Sequence, residues 1–254
     1  MRKQLRILMA LCVGAACLVP VAHAEQAKRI VVYTEHYPPY NHENEKGEVI
    51  GLATDRVRQV LDAAGISYEI RVAPWSRAVL NATTRDNTLI YSITRTPGRE
   101  ADYDWLVPLA DSNFYLYARS DDYRNFTTQA LQAGEYSAAC VSGDLSCDVL
   151  NGIGIPAKNI TMISDSGTGD FRLVLAGRAD VYVSNRTVNP ELRQSEGFHP
   201  QATKPVYRVG GGIAFYLAAG KQVSPELRQH IREAYERLEE AGVYQRVRDE
   251  DLNN

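Results

Sequence analysis

Cysteine and histidine are both scarce in this sequence, and their scarcity closes off several chemistries. Only four of 254 residues are cysteine and five are histidine. The histidines (His23, His36, His42, His199 and His230) fall in no spacing that suggests a metal site. Hydrolase and nucleotide signatures are missing as well. There is no Gly-x-Ser-x-Gly elbow, no His-Glu-x-x-His helix, no Gly-x-x-x-x-Gly-Lys loop and no dinucleotide fingerprint. Neither sign of charge dominates: 28 Lys and Arg stand against 31 Asp and Glu, a net charge of −3. Such a balance offers no basic field for nucleic acid. Beyond the first two dozen residues there is no long apolar run, low-complexity tract or repeat. These absences point to a protein that is not an enzyme and uses no cofactor or metal.

What is present begins with an export signal. Met1 to Arg6 is basic, and Ile7 to Val21 is apolar but too short to span a bilayer comfortably. Ala22-His23-Ala24 reads as a cleavage site, so residues 1–24 are expected to be removed. An uncleaved anchor is the alternative, disfavoured because no stop-transfer pattern follows. Cys17 invites a lipoprotein reading, but Gly14-Ala15-Ala16 lacks the large apolar residue such a site usually has. Export places the mature chain in the periplasm, as a soluble monomer. There, the remaining cysteines, Cys140 and Cys147, are an even number in an oxidising compartment, which favours a disulfide. Two buried free thiols are the alternative.

The mature chain repeats one grammar twice. Arg29–Glu35 is a strand signal, Leu52–Ala64 a helical stripe stopped by Gly65, and Tyr68–Val72 a strand. Pro74–Thr84 is helical and Thr88–Ile93 a strand. The middle repeats this β-α-β-α-β order with strands at 137–141, 159–163 and 179–184, and helices starting at Ser146 and Asp170. Two strand-like runs, Phe114–Arg119 and Gly210–Leu217, are read as paired crossings between lobes, with the three glycines at 210–212 permitting hinge backbone. The expected architecture is therefore α/β, with two α/β lobes joined by two crossing strands. Residues 25–117 plus 211–254 form one lobe and 118–210 the other. Near the end, Ser224 caps a helix, Pro225 opens it, Leu227, Ile231, Tyr235 and Leu238 form its buried stripe, and Gly242 ends it.

In open α/β sheets, ligands bind beyond the carboxyl ends of the strands. That rule selects Glu35, Tyr37 and Tyr40 after the first strand, and Ser92, Thr94, Arg95 and Arg99 after the third. In the second unit it selects Ser142-Gly143-Asp144, Ser164 to Gly167, and Ser184-Asn185-Arg186. Short hydroxyls, glycines and charges suit a small polar molecule held between lobes. Each has a plainer reading: Asp144, Ser146, Ser166 and Asp170 as helix caps, Tyr40 and Trp75 as core or lid aromatics. Glu35 is expected either to bind a cationic group or to pair with Arg99. Arg95 and Arg99 are the sharper pointers, because a guanidinium matches a carboxylate bidentately.

The chain resembles the amino-acid-type (family 3) solute-binding proteins of bacterial uptake systems. The resemblance rests on Tyr33-Thr34-Glu35-His36-Tyr37-Pro38-Pro39-Tyr40 followed by Gly51-Leu52-Ala53-Thr54-Asp55, then on Ser92 to Glu100, Leu175 to Val183, and Leu238 to Tyr244. It covers essentially the whole mature chain and implies the type II periplasmic binding protein fold, with the ligand cleft between the lobes. It implies a small, carboxylate-bearing ligand held by Arg99 with Ser92 and Thr94 beside it, Tyr37 as an aromatic wall, and an inner-membrane ABC permease as partner. The family position that usually carries an Asp for an amino acid's ammonium group is here Asn185, and a neutral amide does not supply that charge pairing. Members of the wider family are also ligand-sensing adaptors of membrane receptors or, on the same scaffold, dehydratase-like periplasmic enzymes. An enzyme would draw its acid or base from Glu35, Asp144 or Asp165.

Overall fold

The computed structural model describes residues 29–164, 168–210 and 212–248. The expected export signal, Asp165, Ser166, Gly167 and the middle glycine of the 210–212 run lie outside the described residues.

The first sheet is built by strand β1 (Ile30–Thr34), the short pair β2 (His42–Glu43) and β3 (Val49–Ile50) beside it, helix α1 (Leu52–Ala63), β4 (Tyr68–Val72), α2 (Trp75–Thr84), β5 (Thr88–Thr94) and β6 (Tyr103–Ser112). The chain then passes to β7 (Phe114–Arg119), α3 (Thr128–Ala133), β8 (Ala138–Val141), α4 (Leu145–Ile153), β9 (Ile160–Ile163), α5 (Gly169–Leu175), β10 (Val181–Asn185), α6 (Val188–Ser195) and β11 (Thr203–Arg208). It returns through β12 (Ile213–Gly220), α7 (Pro225–Glu240) and β13 (Val247–Arg248). The six-stranded sheet has the order β13-β6-β12-β5-β1-β4, and the five-stranded sheet β11-β7-β10-β8-β9.

The two units with β-α-β-α-β grammar form the parallel parts: β1 pairs with β4 and β5, and β8 with β9 and β10. β5 is buried along its whole length, which matches a central strand covered on both faces. α7 is capped as its sequence implies, with Ser224 Oγ accepting from Leu227 N at 3.2 Å. Its inner face buries Ile231 and Ala234, while Leu227, Tyr235 and Leu238 are only partly buried against the core.

The crossings differ in register from the expectation. All of Phe114–Arg119 lies in the second sheet, where it pairs with β10 and β11. The first crossing is therefore at Asn113, and the expected lobe boundary at 117 moves four residues back. The physical reason is β6, a ten-residue strand with no strong local pattern of its own; it pairs antiparallel with β12 from Ser112↔Ile213 onward and keeps the chain in the first sheet until its end. The return lies between Arg208 and Ile213.

Gly51 positions the approach to the cleft. Its φ is +130°, and a Cβ there would sit 2.4 Å from the carbonyl oxygen of Tyr40. Only glycine lets the Tyr37–Tyr40 turn close against the start of α1. Within that turn the Pro38–Pro39 peptide bond is cis.

Candidate functional site

A cavity of about 290 Å³ opens between the two sheets, at the ends of their parallel strands. That is about the lower limit for a small-molecule site. The first sheet supplies Glu35 and Tyr37 after β1, Trp75 at the start of α2, Ser92 and Thr94 of β5, and Arg99 from the turn that follows. Asp144, Ser146, Thr168, Asp170, Tyr182 and Ser184 face them from the second sheet and its helices. Phe114 and Phe215, next to the crossings, contribute apolar wall, and their rings meet edge to face at 6.1 Å.

Ser92 reaches the cavity through a β-bulge. Tyr216 pairs with Ile93 and Leu217 with Tyr91, so Ser92 is the extra residue, and its φ is +58°. Left-handed backbone is costly for a serine and clusters at functional sites. Its Oγ donates to Asn41 Oδ1 at 2.5 Å, and Asn41 Nδ2 in turn donates to the Glu35 carbonyl at 2.7 Å.

Arg99 spans the cleft. Its Nη1 donates to Thr94 Oγ1 at 2.7 Å and to the Thr94 carbonyl at 3.2 Å. Its Nη2 donates to the Gly143 carbonyl on the opposite side at 2.8 Å. A guanidinium has five N–H donors, so two of them, Nε–H among them, have no acceptor among the described residues. Trp75 Nε1 donates to the same Gly143 carbonyl at 2.9 Å, and the Arg99 guanidinium lies 5.7 Å from the Trp75 ring centre. One carbonyl of the second sheet's side is thus held by two donors from the first.

The acids of the cavity are crowded by their surroundings. Burial pushes the Glu35 carboxyl well above the usual carboxylate range; Asp144 and Asp170 add to the rise and Arg99 opposes it. No described residue donates a hydrogen bond to that carboxylate, and no Glu35–Arg99 ion pair forms among the described residues. Asp170, 7% exposed, is pushed up to about 7, chiefly by burial and against the help of the Phe171 N–H that donates to its Oδ1 at 2.8 Å. Asp144 caps α4, accepting from Ser146 N at 2.8 Å, and also lines the cavity, so both of its sequence readings coexist in one side chain. His36, on the rim, is held below its ordinary value by desolvation and by neighbouring His42.

Of the residues singled out from sequence, Glu35, Tyr37, Trp75, Ser92, Thr94, Arg99, Asp144 and Ser184 come together around the cavity, joined by Ser146 and Asp170, which the sequence offers as caps. Gly143 contributes its carbonyl, not cavity wall. Ser142, Ser164 and Arg186 are not on its wall, nor are Arg95, Tyr40 and Asn185. Arg95 points outward, forks onto Glu100 at 2.6 and 2.9 Å, and covers Trp105. Tyr40 is fully buried, stacked on Tyr37 and against Phe215. Asn185 is also fully buried. Its Oδ1 accepts from Val188 N at 2.7 Å, capping α6, and its Nδ2 donates to Tyr37 Oη at 3.2 Å. Among the cavity residues, the sequence offers Asp170 only as a helix cap, Tyr182 only as part of the 179–184 strand and Phe215 only as part of the second crossing; a strand pattern does not tell which wall of a strand meets a cleft.

Cys140 at the end of β8 and Cys147 in α4 are joined by a disulfide, with Cα atoms 5.1 Å apart. The bridge fastens the loop that carries Gly143 and Asp144.

No curated protein matches the chain by sequence. Solved structures do match by fold. A histidine kinase sensor domain with similarity to periplasmic binding proteins has a TM-score of 0.72 at 20% identity, covering 85% of this chain and 92% of that one. The arginine-, lysine-, histidine-binding protein ArtJ from Geobacillus stearothermophilus has a TM-score of 0.69 at 16% identity, covering 85% and 91%. An ancestral arginine-binding protein bound to arginine has a TM-score of 0.69 at 18% identity, covering 85% and 94%. The family model for bacterial extracellular solute-binding proteins, family 3, matches residues 30–251. With the two-sheet fold, its two crossings and the cavity between them, this chain belongs to the family 3 bacterial extracellular solute-binding proteins.

Proposed function

We propose that the protein captures a small polar solute in the cavity between its lobes and presents it to an inner-membrane ABC-type permease in the periplasm. The lobes on this reading are residues up to 113 with 212 onward, and 114–208. The carrying observation is Arg99: a cavity-lining guanidinium fixed by Thr94 and Gly143 that keeps two N–H donors for an anionic group of the ligand. Solute binding favours the state in which Trp75 and Arg99 reach Gly143, because those bonds exist only when the lobes are together. No covalent step is required. A second reading, a ligand-sensing module for a membrane receptor, is favoured by the likeness to a histidine kinase sensor domain; it uses the same cavity and differs only in what recognises the closed form.

The test is a thermal-shift and calorimetric screen of the purified protein with amino acids, small carboxylates and polyamines, since a ligand that binds the folded state raises apparent stability. Arg99→Ala is expected to weaken any hit about a hundredfold or more, and Arg99→Lys to recover little, because an ammonium lacks the planar fork. Unchanged affinity in Arg99→Ala refutes the anchor. Receptor and permease readings separate by pull-down with membranes carrying one or the other.

A further inference from the structure

The cavity walls carry more acidic than basic side chains, and the acids come from separate elements. Glu35 follows β1, Asp144 caps α4, and Asp170 lies in the first turn of α5; facing them is one guanidinium, Arg99. We propose that the solute is a net-cationic organic molecule, an amine or guanidinium compound, whose positive group is held by Glu35, Asp144 and Asp170. This rests on the solute-binding reading above and names the class of ligand.

Three observations carry it. First, Arg99 brings one positive charge against three acids, and it makes no ion pair with Glu35 among the described residues. Second, Asp170 is more than nine-tenths buried and lines the cavity, yet only backbone N–H groups, those of Phe171 and of Asp170 itself, donate to it, and no described Lys or Arg pairs with it. A buried carboxylate without a cationic partner is costly to ionise, and a bound cation supplies that partner. Third, among the described residues no three His, Cys, Asp or Glu are close enough together to hold a metal ion. The carboxylates are spread around the wall, which suits an extended organic cation with several N–H donors better than a point charge. Trp75, Tyr37 and Tyr182 add aromatic wall that a cation also favours.

The other titratable groups facing the acids do not replace that cation. His36 is on the rim and biased toward its neutral form, and burial pushes the Tyr182 hydroxyl far above neutrality. Arg172, two residues along α5 from Asp170, is turned to Glu196, at 2.7 Å. Burial raises both Glu35 and Asp170, so without a cation these acids hold protons more readily. A bound cation displaces those protons. Binding is therefore expected to release protons and to weaken as pH falls.

The test titrates the purified protein by calorimetry with arginine, agmatine, glutamine, glutamate and succinate, in two buffers of different ionisation enthalpy. The expected result is saturable binding of arginine or agmatine, with proton release, an affinity that falls about tenfold or more from about pH 8 to about pH 5, and a similar loss in Asp170→Asn or Glu35→Gln. Glu35→Gln, outside any helix, tests the same point from the first sheet, independently of Asp170. Binding of glutamine, glutamate or succinate, with neither cation bound, overturns the inference and leaves the solute-binding reading standing. Binding of none of the five overturns both. A bound cation indifferent to both substitutions and to pH overturns the inference.

Discussion

Asp170→Asn is expected to stabilise the ligand-free protein, increasingly so as pH rises. The carboxyl is 7% exposed and its value stands at about 7, against an ordinary 3.8. An acid whose folded value is raised favours the folded state only while it is protonated. Below the ordinary value the group is neutral in both states and costs nothing. Between about 4 and about 7 the unfolded chain releases its proton and the folded chain does not, so stability falls with pH; above that it stays low. About three pH units at about 1.4 kcal/mol each set a ceiling of roughly 4 kcal/mol on this cost. The amide keeps an oxygen to accept the Phe171 N–H, so α5 retains its first-turn bond, and it removes the charge. In a protein of this size 1 kcal/mol moves Tm by about 2–4 °C. The variant is thus expected to melt level with the parent near pH 4 and up to on the order of 10 °C above it at pH 8. Differential scanning calorimetry of both proteins across that range measures the gap. A gap that is constant, or that narrows as pH rises, refutes the claim that burial holds a proton on Asp170.

Three further outcomes follow from other parts of the molecule. Reducing the Cys140–Cys147 bridge, or replacing both residues with serine, is expected to cost about 2 kcal/mol by the closure entropy of so short a loop, read as a lower denaturation midpoint; unchanged stability argues against the bridge. Ser92→Gly is expected to stay within about 1 kcal/mol of the parent, since relief at φ +58° offsets the lost bond to Asn41, whereas Ser92→Val is expected to cost more than about 2 kcal/mol. Equal costs in chemical denaturation contradict the left-handed bulge. Trp75→Phe removes one of the two donors to the Gly143 carbonyl and is expected to enlarge the radius of gyration of the ligand-free protein in small-angle scattering, while Arg95→Ala, on the outer surface, leaves it unchanged.

Local signals in the sequence determined much of this protein. The parallel units around β1, β4 and β5 and around β8, β9 and β10, the Ser224 cap of α7 and the stops at Gly65 and Gly242 follow from apolar period, capping chemistry and left-handed glycine. Eight candidates, Glu35, Tyr37, Trp75, Ser92, Thr94, Arg99, Asp144 and Ser184, reach the cavity because strand ends in such sheets open on one edge. What pairing across the fold decided was not legible. β6 and β11 lack local patterns strong enough to mark them, and they exist because β12 and β7 hold their ladders. The side to which each arginine turned was likewise settled by partners distant in space. Arg95 found Glu100 and the Trp105 face outside, while Arg99 found Thr94 and, from the other sheet, the Gly143 carbonyl. Asn185 was taken by the N-terminus of α6 and the Tyr37 hydroxyl, and Asp170, read from sequence as a cap, came to face the cleft with its carboxyl stripped of water. Sequence carries the chemistry of each side chain; desolvation and long-range partners, which set what that chemistry does, arise only when the two sheets are brought together.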